Sequence, residues 1–265
     1  MAQTGQNPTV QQQNLTIPNK NGEKLVGILH DAGTMEIVIL CHGLQASKED
    51  KIMVNLAAAL ENAGISSFRF DFTGNGESEG SFQFGNYWRE VEDLHAVAQH
   101  FCEANRKISA IIGHSKGAGV VLLYASKYHD VKTVANLSGR YDLKAGLEER
   151  LGKDFMERIL RNGFIEVKNS SGNVDYRVTE ESLVDRLTIS MHEACLQIDK
   201  DCRLLTVHGS ADETIPVGDA FKFAKILPNN KLEIIEGADH NYTNHQSELA
   251  SVAVDFIKEN LELAT

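Results

Sequence analysis

Ile108-Ser109-Ala110-Ile111-Ile112-Gly113-His114-Ser115-Lys116-Gly117-Ala118-Gly119 is the stretch whose reading decides the fold. A short apolar run meets Gly-His-Ser-Lys-Gly, and an apolar-rich segment follows. Residues 108–113 read as a buried parallel strand, and residues 120–128 as a helix packed against it. Between them the chain must reverse within about five residues. A serine at such a corner has a strained backbone, with its hydroxyl lifted above the sheet edge. Gly113 and Gly117 lack a Cβ, so strand and helix can approach closely around it. The Lys116 amide points into the same space as the Ser115 hydroxyl. One turn therefore offers a nucleophile and half of an oxyanion hole.

A G-x-S-x-G string also arises by chance, so the argument depends on what surrounds it. Strand-like runs occur at 10–17, 24–30, 36–41, 65–71, 108–113, 132–137, 203–208 and 231–236. The first two flank the turn cluster Pro18-Asn19-Lys20-Asn21-Gly22 and form a hairpin. From residue 36 onward, helical patterns at 47–63, 86–103, 217–227 and 245–261 alternate with strands. Alternation of this kind predicts an α/β fold, an eight-stranded, mostly parallel sheet with helices on both faces.

The rhythm breaks after residue 137, and the next core strand begins near 203. The interval carries a helix with Leu151, Phe155 and Ile159, ended near Gly163. A hairpin follows, with Ile165 and Val167 on one side of Asn169-Ser170-Ser171-Gly172-Asn173 and Val174, Tyr176 and Val178 on the other. Thr179 then caps a helix carrying Leu183, Leu187, Met191 and Ala194. Residues 1–139 and 202–265 are thus expected to form the core, with 140–201 an inserted cap at the rim where the serine emerges. Residues 1–9 are expected to be a disordered tail.

Composition limits the function classes. Hydrophobic content of 42% and charged content of 24% suit a globular domain with a sizeable core. A formal net charge of −11 repels phosphate backbones and argues against nucleic acid as a partner. No stretch has the apolar length needed to span a bilayer, so stable membrane insertion is not expected. The polar N-terminal residues do not resemble a secretory signal. Cys41, Cys102, Cys195 and Cys202 form no Cys-x-x-Cys, and are expected to be free thiols of a cytoplasmic protein. The Asn-x-Ser/Thr strings at Asn14, Asn136, Asn169 and Asn241 are then not expected to carry sugar. The oligomeric state is not readable from these features.

A serine hydroxyl needs a base within hydrogen-bond reach, and the base needs an orienting carboxylate. Loops at the carboxyl ends of parallel strands can hold all three. Ser115 follows the strand at 108–113. Asp212 follows the strand at 203–208, in His208-Gly209-Ser210-Ala211-Asp212-Glu213-Thr214-Ile215-Pro216. His240 follows the strand at 231–236, in Glu236-Gly237-Ala238-Asp239-His240. The loop His42-Gly43-Leu44 can supply the Leu44 amide as a second oxyanion donor beside Lys116. A single such donor is worth roughly 3–4 kcal/mol in catalysis.

Read together, His42-Gly43, Asp71-Phe72-Thr73-Gly74-Asn75-Gly76-Glu77-Ser78, Gly113-x-Ser115-x-Gly117, His208-Gly209-x-x-Asp212 and Asp239-His240 fall in the order of a known superfamily. The sequence resembles an α/β-hydrolase of the serine esterase/lipase superfamily, over nearly the whole core. The hairpin-bearing insertion is most similar to that of cinnamoyl/feruloyl esterases, while monoacylglycerol lipases share the core motifs. Ala118 departs from the pattern, since many members have a second glycine there. The resemblance implies a serine hydrolase of small aryl or acyl carboxylic esters, the cinnamoyl or feruloyl type among them, with Ser115, His240 and Asp212 catalytic. The Leu44 and Lys116 amides would form the oxyanion hole, with no cofactor and no metal. An acyltransferase, a thioesterase, a peptidase of the same fold, or a ligand-binding receptor with a vestigial triad would carry the same residues.

Other residues have less chemical readings. His42 and His114 are expected to be structural, and His208 a hydrogen-bonded core residue. Glu213 is the alternative acid, and Asp239 stabilises the His240 loop. The Lys116 side chain is expected along the helix surface. The Gly74-x-Gly76 loop lacks the third glycine of a dinucleotide site and is expected to pack beneath the active site. His192-Glu193 opens a zinc-like string that Leu196 ends. Tyr87 and Trp88 are expected in the core; Met156 and Met191 fit either core or acyl pocket.

Overall fold

The computed structural model describes residues 11–262; the tail expected at 1–9 lies outside the described residues. The chain opens with β1 (Gln11–Pro18) and β2 (Lys24–Asp31), an antiparallel hairpin. Then come β3 (Glu36–Cys41), α1 (Lys51–Asn62), β4 (Ser66–Phe70), α2 (Tyr87–Glu103), β5 (Lys107–His114), α3 (Lys116–Tyr128) and β6 (Thr133–Leu137). The next segment holds α4 (Leu147–Leu151), α5 (Phe155–Asn162), β7 (Phe164–Lys168), β8 (Val174–Thr179), α6 (Glu180–Thr188) and α7 (Met191–Leu196). The chain closes with β9 (Arg203–Gly209), α8 (Gly218–Ile226), β10 (Asn230–Ile235) and α9 (Gln246–Glu262).

Among the described residues, eight strands form one sheet in the order β1-β2-β4-β3-β5-β6-β9-β10. From β4 to β10 every neighbouring pair is parallel; β2 runs antiparallel to both β1 and β4. This is the α/β-hydrolase sheet. The eight strands expected from the sequence all form.

Burial on both faces explains the continuous apolar runs. In β3, Ile37, Ile39 and Cys41 join one core with α2, α3, α7 and α8, while Val38 and Leu40 join a second core with α1 and α9. A third, smaller cluster lies elsewhere. It unites Leu147, Leu151, Ile159, Ile165, Val178 and Leu183 of the segment after β6 with Phe84 of the core.

Two expected helices are each split. The first breaks at Gly152, whose φ of +90° ends α4 before Asp154 starts α5. The second breaks because Ile189 is extended and the Ser190 hydroxyl accepts the Glu193 amide, a cap that competes with helix continuation. Met191 is therefore carried into the main core beside Cys195 and Ile198. Thr179 caps α6 as expected, through Ser182 N–H. Helix α3 begins directly after Ser115, four residues before the apolar run that marked it.

Packing at that junction leaves no room for a side chain. A Cβ on Gly113 would stand 2.1 Å from the Gly117 carbonyl oxygen, and one on Gly117 would stand 2.5 Å from the Cys41 and His42 carbonyl oxygens. Strand, helix and oxyanion turn touch through bare backbone. Gly117→Ala is expected to cost about 1–3 kcal/mol through overpacking. Gly218, with open space around it at the start of α8, should accept alanine with no loss or a gain of up to about 1 kcal/mol. Urea denaturation measures both; equal midpoints for the two variants would refute the packing argument.

Candidate active site

Ser115 is held at φ 56° and ψ −114°, a left-handed conformation that a serine adopts only when its surroundings impose it. Its amide donates to Leu137 O at 2.8 Å, which ties the elbow to the end of β6. The Ser115 Oγ lies 3.0 Å from His240 Nε2. The His240 Nδ1 lies 2.7 Å from Asp212 Oδ2. The three residues expected as a triad, 125 and 28 positions apart along the chain, are thus brought together.

Asp212 is held by every group around it. Its Oδ1 accepts the Thr214 and Ile215 amides at 2.9 and 2.8 Å. Its Oδ2 also sits 3.2 Å from His208 Nε2. Burial opposes ionisation of this carboxyl, yet the hydrogen bonds from His208, His240 and Ile215 outweigh it and hold the group well below the usual carboxylate range. Glu213 is exposed and takes no part in this network.

The His240 loop is fastened from below. His114 Nε2 donates to the His240 carbonyl at 2.9 Å. Tyr242, fully buried, donates its hydroxyl to Val207 O and accepts from Ser138 Oγ at 2.7 Å. Asp239 Oδ1 accepts the Thr243 amide at 2.7 Å, the loop-stabilising role expected of it. His208 Nε2 bonds Ile215 O at 2.8 Å inside the core.

The second turn is equally fixed. His42 Nε2 accepts the Phe72 amide at 3.1 Å, so its Nδ1 carries the proton and donates to Gly43 O at 2.8 Å. Burial pushes both His42 and His114 down to about 4, in keeping with structural, neutral imidazoles. The Asp71 loop packs beneath: Asp71 accepts from Lys48 N, Lys48 Nζ and Glu77 N, and a Cβ on Gly76 would collide with its carboxylate. Neither the Leu44 nor the Lys116 amide has an acceptor among the described residues, and both residues line the cavity at Ser115.

Two expectations about side chains are overturned. The Lys116 side chain is not on the surface; it is buried, and its Nζ lies 2.6 Å from Glu90 Oε1 on α2 and 5.1 Å from the Tyr87 ring centre. The glycine-rich helix start leaves space inward, and Glu90 fills it with a counter-charge. Burial raises the Glu90 carboxyl despite the lysine's opposing pull. Trp88 is exposed beneath Lys127 rather than in the core, while Tyr87 is buried. Met191 is in the core and Met156 is exposed.

The cavity over Ser115 measures about 200 Å³. Its lining includes Phe84, Tyr87, Arg140, Arg150, Arg186 and Ile215, with no aspartate or glutamate. The three arginines escaped the sequence reading. They stand far apart in the chain with no spacing motif; the one available signal was that most of the chain's arginines fall between 140 and 186. The segment between β6 and β9 meets the rest of the chain beside this cavity, through Gly85 N to Ser182 Oγ, Tyr87 N to Asp185 Oδ2 and Gln45 Nε2 to Asp175 Oδ2.

Residues 33–191, well over half of the chain, match the family described as serine aminopeptidase, S33. The chain belongs to that family. The match includes Ser115 but ends before Asp212 and His240. Est1E from Butyrivibrio proteoclasticus, in a structure with ferulic acid bound, is 24% identical with a TM-score of 0.81, covering 94% of this chain and 99% of its own. The α/β hydrolase GrgF from Penicillium sp. sh18 is 19% identical with a TM-score of 0.80, covering 95% and 99%. The Pyrococcus furiosus esterase Pf2001 is 20% identical with a TM-score of 0.71, covering 98% and 94%. These likenesses carry the α/β-hydrolase fold. A comparison with curated proteins yields no match. No helix among the described residues is long and apolar enough to cross a membrane.

Two outcomes test this framework. Glu90→Gln leaves a buried ammonium unpaired and is expected to cost about 3–5 kcal/mol in urea denaturation. Glu90→Leu combined with Lys116→Met removes both charges and should recover most of that loss. His114 titrates lower in the folded chain, so between 6.5 and about 4 the unfolded chain binds the proton first. The stability advantage of wild type over His114→Gln should therefore shrink as pH falls through that window. A constant difference would show that His114 does not contribute in this way.

Proposed function

We propose that the protein is a serine hydrolase of carboxylic esters, with Ser115 as nucleophile, His240 as general base and acid, and Asp212 as the orienting carboxylate. The observation that carries this reading is the unbroken hydrogen-bonded chain from Ser115 Oγ through His240 to Asp212, at 3.0 and 2.7 Å. His240 Nε2 takes the hydroxyl proton as Oγ attacks the ester carbonyl. The Leu44 and Lys116 amides receive the oxyanion, supported by their freedom from other acceptors and by the N-terminus of α3. The imidazolium then gives its proton to the leaving alcohol. Water, deprotonated by His240, releases the acyl group and restores the serine. Asp212 is already ionised and fully engaged, so it orients the imidazole and stabilises its positive charge.

In this reading residues 140–201 act as a cap that shapes the pocket. A cavity of about 200 Å³ bounded by Phe84 and Tyr87 suits a small acyl or aryl group, and the neighbour Est1E binds ferulic acid. The family description favours a second reading, an aminopeptidase. Such an enzyme must hold the ammonium of a peptide's first residue, a task for carboxylates. The cavity has arginines and no carboxylate among its lining residues, which argues for the esterase.

Ser115→Ala is expected to lower ester turnover by up to about six orders of magnitude. Hydrolysis of a chain-length series of nitrophenyl esters beside methyl ferulate and a panel of amino-acid amides measures it. Near wild-type ester hydrolysis by the variant, or amides cleaved in preference to esters, would sink the reading.

A further inference from the structure

Half of the ten arginines of this chain are paired with acids. Arg69, Arg89, Arg106, Arg158 and Arg177 each lie within 4.0 Å of a carboxylate. The three that line the cavity over Ser115 differ, since none has such a partner among the described residues. Each is instead oriented by a neutral acceptor. Arg140 Nη2 donates to Thr214 O at 2.7 Å, and Arg150 Nη1 to Tyr176 Oη at 3.2 Å. Arg186, itself buried, donates through Nε to Leu143 O at 2.8 Å and through Nη1 to Tyr87 Oη at 3.3 Å. Its guanidinium also stacks 4.8 Å from the centre of Phe84.

Such anchors hold a guanidinium in place without discharging it. The remaining N–H groups of Arg140 and Arg186 are not buried without partners, so they face accessible space. Burial and the nearby Arg186 and Arg150 also disfavour the charge on Arg140, and the longer-range pull of Asp219 only partly offsets them. Mutual repulsion of three cations is costly unless an anion relieves it. The remaining cation of the lining, Lys116, is already matched by Glu90. A chain of net charge −11 has no general reason to gather unpaired positive charge at one cavity.

We propose that the ester taken by this site carries a free carboxylate, held by Arg140, Arg150 and Arg186 while its ester carbonyl lies at Ser115. This rests on the ester-hydrolase reading and narrows it to half-esters of diacids, or esters of alcohols that bear an acid group. Guanidinium forks suit a planar carboxylate, which can accept two parallel N–H bonds. The charge serves as selection: a neutral ester leaves three cations facing one another, and an amine is repelled.

The test uses the full chain and two substrate pairs. For the acyl side the pair is mono-p-nitrophenyl glutarate and its methyl ester; for the alcohol side, para-acetoxybenzoate and its methyl ester. In one pair the acid is expected to exceed its methylated form in kcat/KM by about tenfold or more, mainly through KM. That ratio should collapse in Arg140→Gln and in the more exposed Arg150→Gln, and should fall as salt is raised. Calorimetry on Ser115→Ala with monomethyl and dimethyl glutarate reads binding without turnover. Fluorophosphonate labelling of Ser115 reports on the nucleophile separately. If labelling and hydrolysis proceed while neither acid is preferred in turnover or binding, the carboxylate inference is overturned. If no ester is turned over yet the acid binds Ser115→Ala more tightly, the anion site stands and the hydrolase reading falls.

Discussion

Strand β5 and helix α3 are joined across a gap too narrow for any side chain. Gly113 meets the Gly117 carbonyl, and Gly117 meets the carbonyls that end β3. This contact of bare backbones leaves Ser115 no ordinary conformation, and its φ of 56° follows from the crowding. The same geometry leaves the Lys116 amide without an acceptor at the first turn of α3. It also turns the Lys116 side chain inward, where Glu90 meets it. A proposed nucleophile, a proposed oxyanion donor and a buried ion pair all descend from one steric constraint. Such strain persists because the surrounding sheet and helices over-determine it.

Charge is handled in two ways around this elbow. The Asp212 carboxylate is saturated, with two amides and two imidazoles at its oxygens. That fixes the His240 ring and keeps the negative charge in place beneath the chemistry. Elsewhere in the cavity lining, the guanidiniums of Arg140 and Arg186 are positioned by carbonyl and hydroxyl groups. Their charge remains available to a ligand. The carboxylate of the site is electrostatically closed, and its guanidiniums are open.

The sheet and the placement of Ser115, Asp212 and His240 were legible because they depend on short-range signals: buried apolar runs, glycines at close contacts, and loops that follow strands. What stayed hidden depends on long-range packing. The buried ion pair of Lys116 needs Glu90, twenty-six residues earlier. The role of Tyr242 in anchoring the His240 loop depends on Val207 and Ser138. The arginines of the cavity are gathered from β6's exit, α4 and α6, with no periodicity linking them. Helix breaks at Gly152 and Ile189 were missed because apolar spacing ran through them, while a positive φ and a serine cap ended the helices.

The third apolar cluster is built mostly from the segment between β6 and β9 and borrows only a few residues, such as Phe84 and Leu44, from the rest. Its folding energy is therefore largely its own. Mutations that reshape the walls of the cavity from this side draw on a separate reserve of stability from the one that holds the strained serine. Evolution can rewrite what the pocket accepts while the reactive corner stays as it was. That separation gives a physical reason why chains related at 24% identity or less can share this fold while their pockets remain free to diverge.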